Sequence, residues 1–423
     1  MPHRLEAPLK AGAHLSERLL HVRRITEALA EGLSDADATV QSMEDASPAK
    51  WHLAHTTWFF ETLVLRPHAP GYAIFDERFP YLYNSYYESL GKRHPRPQRG
   101  MITRPALKEV LAYRAHVNAA LERFSSAPVV QEVADLLELG IHHEQQHQEL
   151  LLTDILHLFA QNPLKPAFRP PEPLAVERNG AGELTWTAFD GGIRAFGHDG
   201  EGFSFDSEGP RHKRLIEPFK LANRCVTNAE WIAFIEDKSY ETATLWLSDG
   251  WATVQTDGWD APLYWENRDG EWWGMTLRGL QPIDPAAPIT HVSYYEADAF
   301  ATWAGKRLPT EFEWEHAAEG VEIGGNLMGS GRLRPAPAKS GNGLSQMFGD
   351  VWEFTQSPFA PYPRYKAVEG AVGEYNGKFM CGQFVLRGGS CATPDGHLRA
   401  TYRNFFHPDK RWQFSGLRLA EDA

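Results

Sequence analysis

The chain is poor in cysteine: Cys225, Cys381 and Cys391 are all that its 423 residues contain. Three thiols so dispersed support neither a disulfide framework nor a cysteine-rich zinc site. Long apolar runs are also missing. The first 20 residues, MPHRLEAPLKAGAHLSERLL, hold no uninterrupted hydrophobic stretch, and no later run approaches the roughly 20 residues of a membrane span. There is no basic excess either, because 55 acidic side chains against 42 Lys and Arg leave a net charge of −13. Nucleic acid and anionic membrane require the opposite sign, so neither is expected as a partner. Internal repeats and low-complexity tracts are absent. A cytoplasmic, soluble protein with at least two domains is the expectation. What the chain has in plenty is aromatic residues, and 14 Trp with 23 Phe are enough to wall a pocket.

The stretch 139–152, LGIHHEQQHQELLL, organises the first half. It lies in an apolar-periodic run over 130–159 with no Pro and one Gly, which predicts a long helix. His143 and His147 are then one turn apart on one face, which Leu150, Leu151, Ile155 and Leu158 extend. Read alone, the pair fits a satisfied core pair as well as half of a metal site. His143-Glu144-Gln145-Gln146-His147 also spells the H-E-x-x-H of zinc proteases, with Glu144 as base, although the third histidine of one common form falls on Thr153.

Around it the pattern over 15–160 is helical. A first amphipathic segment covers 15–33. Ser47-Pro48 reads as a helix entry, Ser as cap, opening a helix over 49–65 whose stripe Trp51, His55, Phe59 and Leu63 turns His55 inward and leaves His52 and Trp58 off it. Residues 66–103 form a long loop with PYLYNSYYESLGKRHPRPQRG, where Ser85, Tyr86 and Tyr87 begin a short helical turn. A third helix over 105–124 completes an up-down bundle with a metal inside. The Pro-rich segment 162–178 marks a boundary between domains at 1–165 and 175–423. Beyond it, short strands (184–189, 219–222, 384–387) alternate with turns and two helices (228–236, 293–305), an α+β pattern.

The second half carries VTNAEW (226–231), RLPTEFEWEHAA (307–318), FGDVWEFT (348–355), LRGGS (386–390) and YRNFF…GLRLA (402–420). This set resembles the formylglycine-generating-enzyme-like domain, a C-type lectin variant. WHLAHTTWFF and HHEQQHQELLLTDI resemble the DinB-like bundle. Joined in one chain, the halves resemble the ergothioneine-pathway sulfoxide synthases of EgtB type, over nearly the whole length.

The resemblance implies non-haem Fe(II) and O2 joining a thiol to C2 of the hercynine imidazole as a sulfoxide, which a separate C–S lyase then takes. It implies His55, His143 and His147 as iron ligands, Gln146 orienting the substrate imidazole, Asn404 on its carboxylate and Phe405 against its trimethylammonium. The second domain would complete that pocket. Phe406 stands where members using γ-glutamylcysteine carry an acid, which favours free cysteine as donor, with Arg93 and Arg96 on the donor carboxylate. Tyr86-Tyr87 match the acid pair of the cysteine-using branch, with Tyr365 and Tyr375 as alternatives. Selenium- and histidine-using relatives stay open, as does a non-catalytic binding module. A formylglycine-generating oxidase needs a late cysteine pair, and Cys391 has no sequence neighbour to serve.

Overall fold

The computed structural model describes residues 12–172, 182–339, 341, 343–368, 373 and 376–423. They divide into two compact units at Leu164 and Lys165. No helix among the described residues is long and apolar enough to cross a membrane.

Four helices build the first unit: Leu15–Ala30, Ala49–Phe60, Leu107–Ser125 and Gln131–Gln161. All 12 residues of the second are buried, including the polar Lys50, His52, His55, Thr56 and Thr57, so it runs through the middle of the bundle with its polar groups matched inside it. It packs on the third and fourth helices, while the first lies along the fourth. A π turn at Glu61–Leu65 carries it on towards Arg66–His68. The helix begins at Ala49 without a side-chain cap. Ser47, expected as that cap, instead gives its N–H to Asp154 Oδ2 at 2.7 Å and accepts from Arg99 Nη1 at 2.8 Å.

Gly140, the one glycine of the 31-residue fourth helix, sets the approach of these two helices. A Cβ there would stand 2.4 Å from the Phe60 ring and 3.0 Å from Phe59. Glycine weakens a helix interior by about 1 kcal/mol relative to alanine, and here it allows the ring-to-backbone contact that brings His55 up to His143.

The loop between the second and third helices is more structured than its sequence pattern predicts. A short helix covers Phe79–Tyr83, a 3-10 turn covers Glu88–Leu90 and a six-residue 3-10 helix covers Arg96–Met101. Ser85, Tyr86 and Tyr87 lead from the first into the second of these in extended and bent backbone, and Tyr87 caps the turn Glu88–Leu90, its carbonyl accepting the Leu90 N–H at 3.2 Å. Asn84 fixes that bend by accepting from the Tyr87 N–H at 3.2 Å and donating to the Tyr87 carbonyl at 3.0 Å, the local competition with helix that Asn is suited to.

The second unit is α+β with four small sheets among its described residues. Trp186–Phe189, Phe219–Ala222 and the C-terminal Ala420–Asp422 form one antiparallel sheet. Asn404–Phe406, Phe384–Arg387, Trp352–Pro358 and Ser415–Gly416 form another. The helices Asn228–Glu236 and Tyr294–Trp303 have capping boxes at Thr227 and Ser293. The sequence pattern misses two helices: Ser248–Asp257, which buries only Gly250 and Val254 and so shows no apolar stripe, and the seven-residue Glu311–Ala317, which is too short to show a period although Thr310 and Glu313 make its capping box. A buried ionic cluster ties the unit together: Glu311 accepts from Arg387 at 3.0 Å and from Arg403 at 2.8 Å and 3.0 Å.

Candidate functional site

Between the second and fourth helices three buried imidazoles converge. His55, His143 and His147 each bring one ring nitrogen within 4.8 Å of the others. Nε2 of His55 is 3.2 Å from Nε2 of His143. Nδ1 of His55 lies 2.6 Å from the Tyr83 carbonyl, a contact that only an Nδ1–H can make, so the Nε2 lone pair faces the cluster. Burial pulls the His143 pKa down to about 3. It also holds His55 and His147 well below the ordinary histidine value, with the neighbouring imidazoles adding to the effect.

Three neutral imidazoles with converging ring nitrogens are the donor set of a metal ion such as Fe, Zn or Cu. Among the described residues no fourth His, Cys, Asp or Glu joins the group, whereas closed structural zinc sites take four protein ligands. The arrangement therefore fits an ion with open positions for substrates.

Aromatic rings wall the cluster. Trp51 stacks on His55 at 4.5 Å and 13°, and Trp58 stacks on it at 5.4 Å and 15°. Trp58, which lies off the predicted stripe, is 1 % exposed. Its indole N–H finds no acceptor among the described residues. The tyrosine loop joins this wall: Tyr87 is fully buried with its ring 5.5 Å from Trp58, and Tyr86 stacks on Tyr87 at 4.7 Å. Gln146 is half-buried, one residue before His147.

Glu144 faces away from the triad. Its carboxylate receives Arg23 Nη1 at 2.9 Å and Arg114 Nη2 at 2.7 Å, all fully buried. Burial alone would raise its pKa, and the two guanidiniums hold it at about 2. A general base needs a reachable proton and an unsaturated carboxylate, so the zinc-protease reading of H-E-x-x-H has no geometry here.

His52, read from the sequence as lying off the inward stripe, is buried and touches the triad: its Nδ1 is 2.9 Å from His147 Nδ1, and its Nε2 is 3.1 Å from Asp154 Oδ2. The four-residue stripe used for the prediction ignores the i−3 neighbour of His55 on the same broad face. Asp154 carries a signal as well, since it follows His147 by seven residues, two turns along one face.

Arg93 and Arg96 are engaged elsewhere, Arg93 by Glu88 and Arg96 by the Asp45 carbonyl. Arg99, 3 % exposed, does reach the aromatic wall of the cluster, with its guanidinium 3.4 Å above the Trp51 ring. Arg99 also donates to Ser85 at 3.1 Å, tying the tyrosine loop to the entry of the second helix.

In the second unit, Asn404, Phe405 and Phe406 form a strand on Phe384–Leu386. Alternation puts Asn404 and Phe406 on one face and Phe405 on the other. Asn404 Oδ1 accepts the Phe405 N–H at 2.9 Å. Phe405 stacks on Phe359 at 4.2 Å, and Phe406 meets Trp412 edge-on at 5.6 Å. Tyr365 donates to Asp206 at 2.7 Å, while Tyr375 lies outside the described residues. Cys225 and Cys391 are buried, Cys381 is exposed, and none of the three is in a disulfide.

Residues 18–151 match the DinB superfamily, and residues 179–423 match the sulfatase-modifying factor enzyme 1-like domain. The fold class expected from the sequence, a DinB-like bundle followed by a formylglycine-generating-enzyme-like domain, is therefore the one the chain has. The chain is 35% identical over 446 residues to the hercynine oxygenase of Mycolicibacterium smegmatis, covering 97% of this chain and 99% of that protein. It is 33% identical over 447 residues to the hercynine oxygenase of Mycobacterium tuberculosis, covering 99% and 100%. The formylglycine-generating enzyme of Streptomyces coelicolor is 32% identical over 307 residues, covering 62% of this chain and 96% of that protein.

Proposed function

The chain belongs to the hercynine oxygenases, the EgtB-type sulfoxide synthases of ergothioneine biosynthesis, and on that premise we propose that it joins the sulfur of free cysteine to C2 of the hercynine imidazole. The overall change, C–H plus S–H plus O2 giving a C–S(=O) bond and water, balances as a four-electron oxidation of the two substrates. The observation that carries the reading is the all-imidazole triad His55, His143 and His147, buried and neutral. Fe(II) held there supplies the reaction with O2 and a full dipositive charge to which a thiolate is drawn, because no carboxylate ligand offsets it.

The chain's own groups supply the rest. The stacked walls of Trp51 and Trp58 exclude water around His55 and fix its ring. Gln146 orients the substrate imidazole. Tyr87 or its stacked neighbour Tyr86 moves a proton at its phenolic oxygen during transfer of oxygen to sulfur; the packing of Tyr87 on Trp58 supports this pair, and the hydrogen bond of Tyr365 to Asp206 counts against the alternative. Asn404 and Phe405 are assigned to the hercynine carboxylate and trimethylammonium, as the family resemblance implies. Phe406, an apolar side chain where an ion pair to a γ-glutamyl amino group would need an acid, supports free cysteine as donor. For the donor carboxylate, Arg93 and Arg96 have protein partners, and buried Arg99 is the stronger assignment. The product retains the cysteine backbone, so a separate C–S lyase acts next, and a cytoplasmic location suits free thiol donors.

The test is anaerobic reconstitution with Fe(II), then air with hercynine and either cysteine or γ-glutamylcysteine, read by mass spectrometry. Sulfoxide from cysteine alone is the expected result. Product only from γ-glutamylcysteine overturns the donor assignment, and product only from a selenium donor or from histidine overturns the substrate assignment.

A further inference from the structure

The three triad histidines do not have equivalent outer partners. His55 rests on a backbone carbonyl, whereas His147 rests on another imidazole, which in turn rests on a carboxylate. Two Nδ1 atoms at 2.9 Å cannot both be donors or both acceptors. Asp154 decides between them. Its Oδ2 already accepts the Ser47 N–H at 2.7 Å and lies 3.1 Å from His52 Nε2. An ionised carboxylate is acceptor-only, so His52 carries its proton on Nε2 and presents a lone pair at Nδ1. His147 must then donate from Nδ1, which leaves Nε2 as its lone-pair atom. This proton assignment follows from the heavy-atom network.

We propose that Asp154 and His52 form a carboxylate–imidazole–imidazole relay that fixes His147 in its Nδ1–H tautomer and strengthens its Nε2 as a metal donor. His52 and Asp154 are positioning residues: they act through His147. The relay is sealed, with His52 2 % and Asp154 7 % exposed. It is also braced, because Ser47 N–H holds the carboxylate while Ser47 Oγ accepts from buried Arg99. A carboxylate polarising a ligand imidazole raises ligand basicity, and loss of such outer partners lowers metal affinity by about 10- to 100-fold. Polarisation passed through a second imidazole places this relay within that range.

This inference rests on the reading of His147 as a metal ligand, and the test separates the two. Co(II) is titrated into the full-length apoprotein and its visible absorption followed, for the parent, Asp154→Asn, His52→Asn, His52→Leu and His147→Ala. Asp154→Asn keeps an oxygen where Ser47 and His52 need one and removes only the charge. In His52→Asn the amide oxygen can stand in for Nδ1, which His52→Leu cannot do. The relay predicts about 10-fold or greater weakening in Asp154→Asn and His52→Leu, partial rescue in His52→Asn, and a shifted Co(II) spectrum. Affinity and spectrum of Asp154→Asn unchanged beside a His147→Ala that no longer binds would overturn the relay and keep the metal ligand. Parent-like binding by His147→Ala would overturn both. Nitrogen-15 shifts of the parent apoprotein give an independent reading: His147 is expected with a protonated Nδ1 and a bare Nε2, and the reverse pattern contradicts the assignment.

Discussion

His143 and Glu144 are neighbours on one helix, both at 1 % exposure or less, and they face opposite kinds of polar environment. Glu144 is saturated: two guanidiniums grip its two oxygens, and Thr57, Asn118 and the Leu53 and Arg23 carbonyls occupy other donors of those arginines. On the other side, three imidazoles each bring a ring nitrogen to one place, and the buried Trp58 N–H beside them has no acceptor among the described residues. The Glu311–Arg387–Arg403 cluster of the second unit is also a buried group of matched charges, although Arg387 Nε has no partner among the described residues. The difference is diagnostic. A buried charge with every donor and acceptor matched is part of the scaffold, whereas buried acceptors aimed at a common point await a ligand.

The most drastic way to break the comparison is to remove a converging acceptor. His143→Ala and His147→Ala are each expected to abolish iron retention and sulfoxide formation, measured as metal content after desalting and as O2 uptake with both substrates. An active, metal-free variant would end the metal reading. Removing the saturated partner has a different signature. Glu144→Gln removes the buried counter-charge shared by two guanidiniums and leaves only the more exposed Glu27, 3.4 Å from Arg114, and such a break is expected to destabilise by about 3–5 kcal/mol. In chemical denaturation its midpoint falls, while the fraction that remains folded binds iron like the parent. Full stability with lost turnover would instead give Glu144 a catalytic role.

How far the sequence was legible follows the same line. Helical periodicity and the H-x-x-x-H spacing were enough to put His143 and His147 on one face, and the stripe from Trp51 added His55. Family resemblance, not spacing, distinguished a metal site from a core pair. The outer partners were less accessible. His52 sits in phase with His55 only when a three-residue step is admitted, and Arg99 lies in a Pro- and Arg-rich loop whose sequence gives no hint that one of its arginines is buried over Trp51. Ser47 looked like a helix cap because Ser-Pro commonly is one; tertiary contacts with Asp154 and Arg99 claimed it instead. In the second unit, strands at Phe219–Ala222 and Phe384–Arg387 were readable, while Glu311–Ala317 is too short for a hydrophobic period to emerge.

Gly140 offers a milder perturbation that reaches the triad through packing. Gly140→Ala adds a methyl group that would meet Phe60 at 2.4 Å, and overpacking of this kind costs typically about 1–3 kcal/mol, more than the roughly 1 kcal/mol gained in helix propensity. Because Phe59 also packs on the His143 ring at 4.7 Å, the variant is expected to weaken Co(II) binding as well as lower the melting temperature. A stabilised protein with parent-like affinity would show that the helices have room to separate.

The smallest effect separates the two faces of the helix by pH alone. The His143 pKa is pulled from 6.5 to about 3 by burial, and that of Glu144 is held at about 2 instead of 4.5. For both, the unfolded chain binds the extra proton first, so stability is lost as pH falls, but over different windows. Between pH 6.5 and 4.5 only the imidazole side is affected, at about 1.4 kcal/mol per pH unit for each fully buried ring. The carboxylate adds its own loss only below pH 4.5. Stability of the apoprotein measured from pH 7.5 to 5, compared between parent and His143→Ala, should therefore differ in slope by about one such increment, and a Thr56→Ala control should leave the slope unchanged. Equal slopes in parent and His143→Ala would mean that the ring is protonated in the folded apoprotein, and the converging lone pairs that set this cluster apart from Glu144 would then be absent at mildly acidic pH.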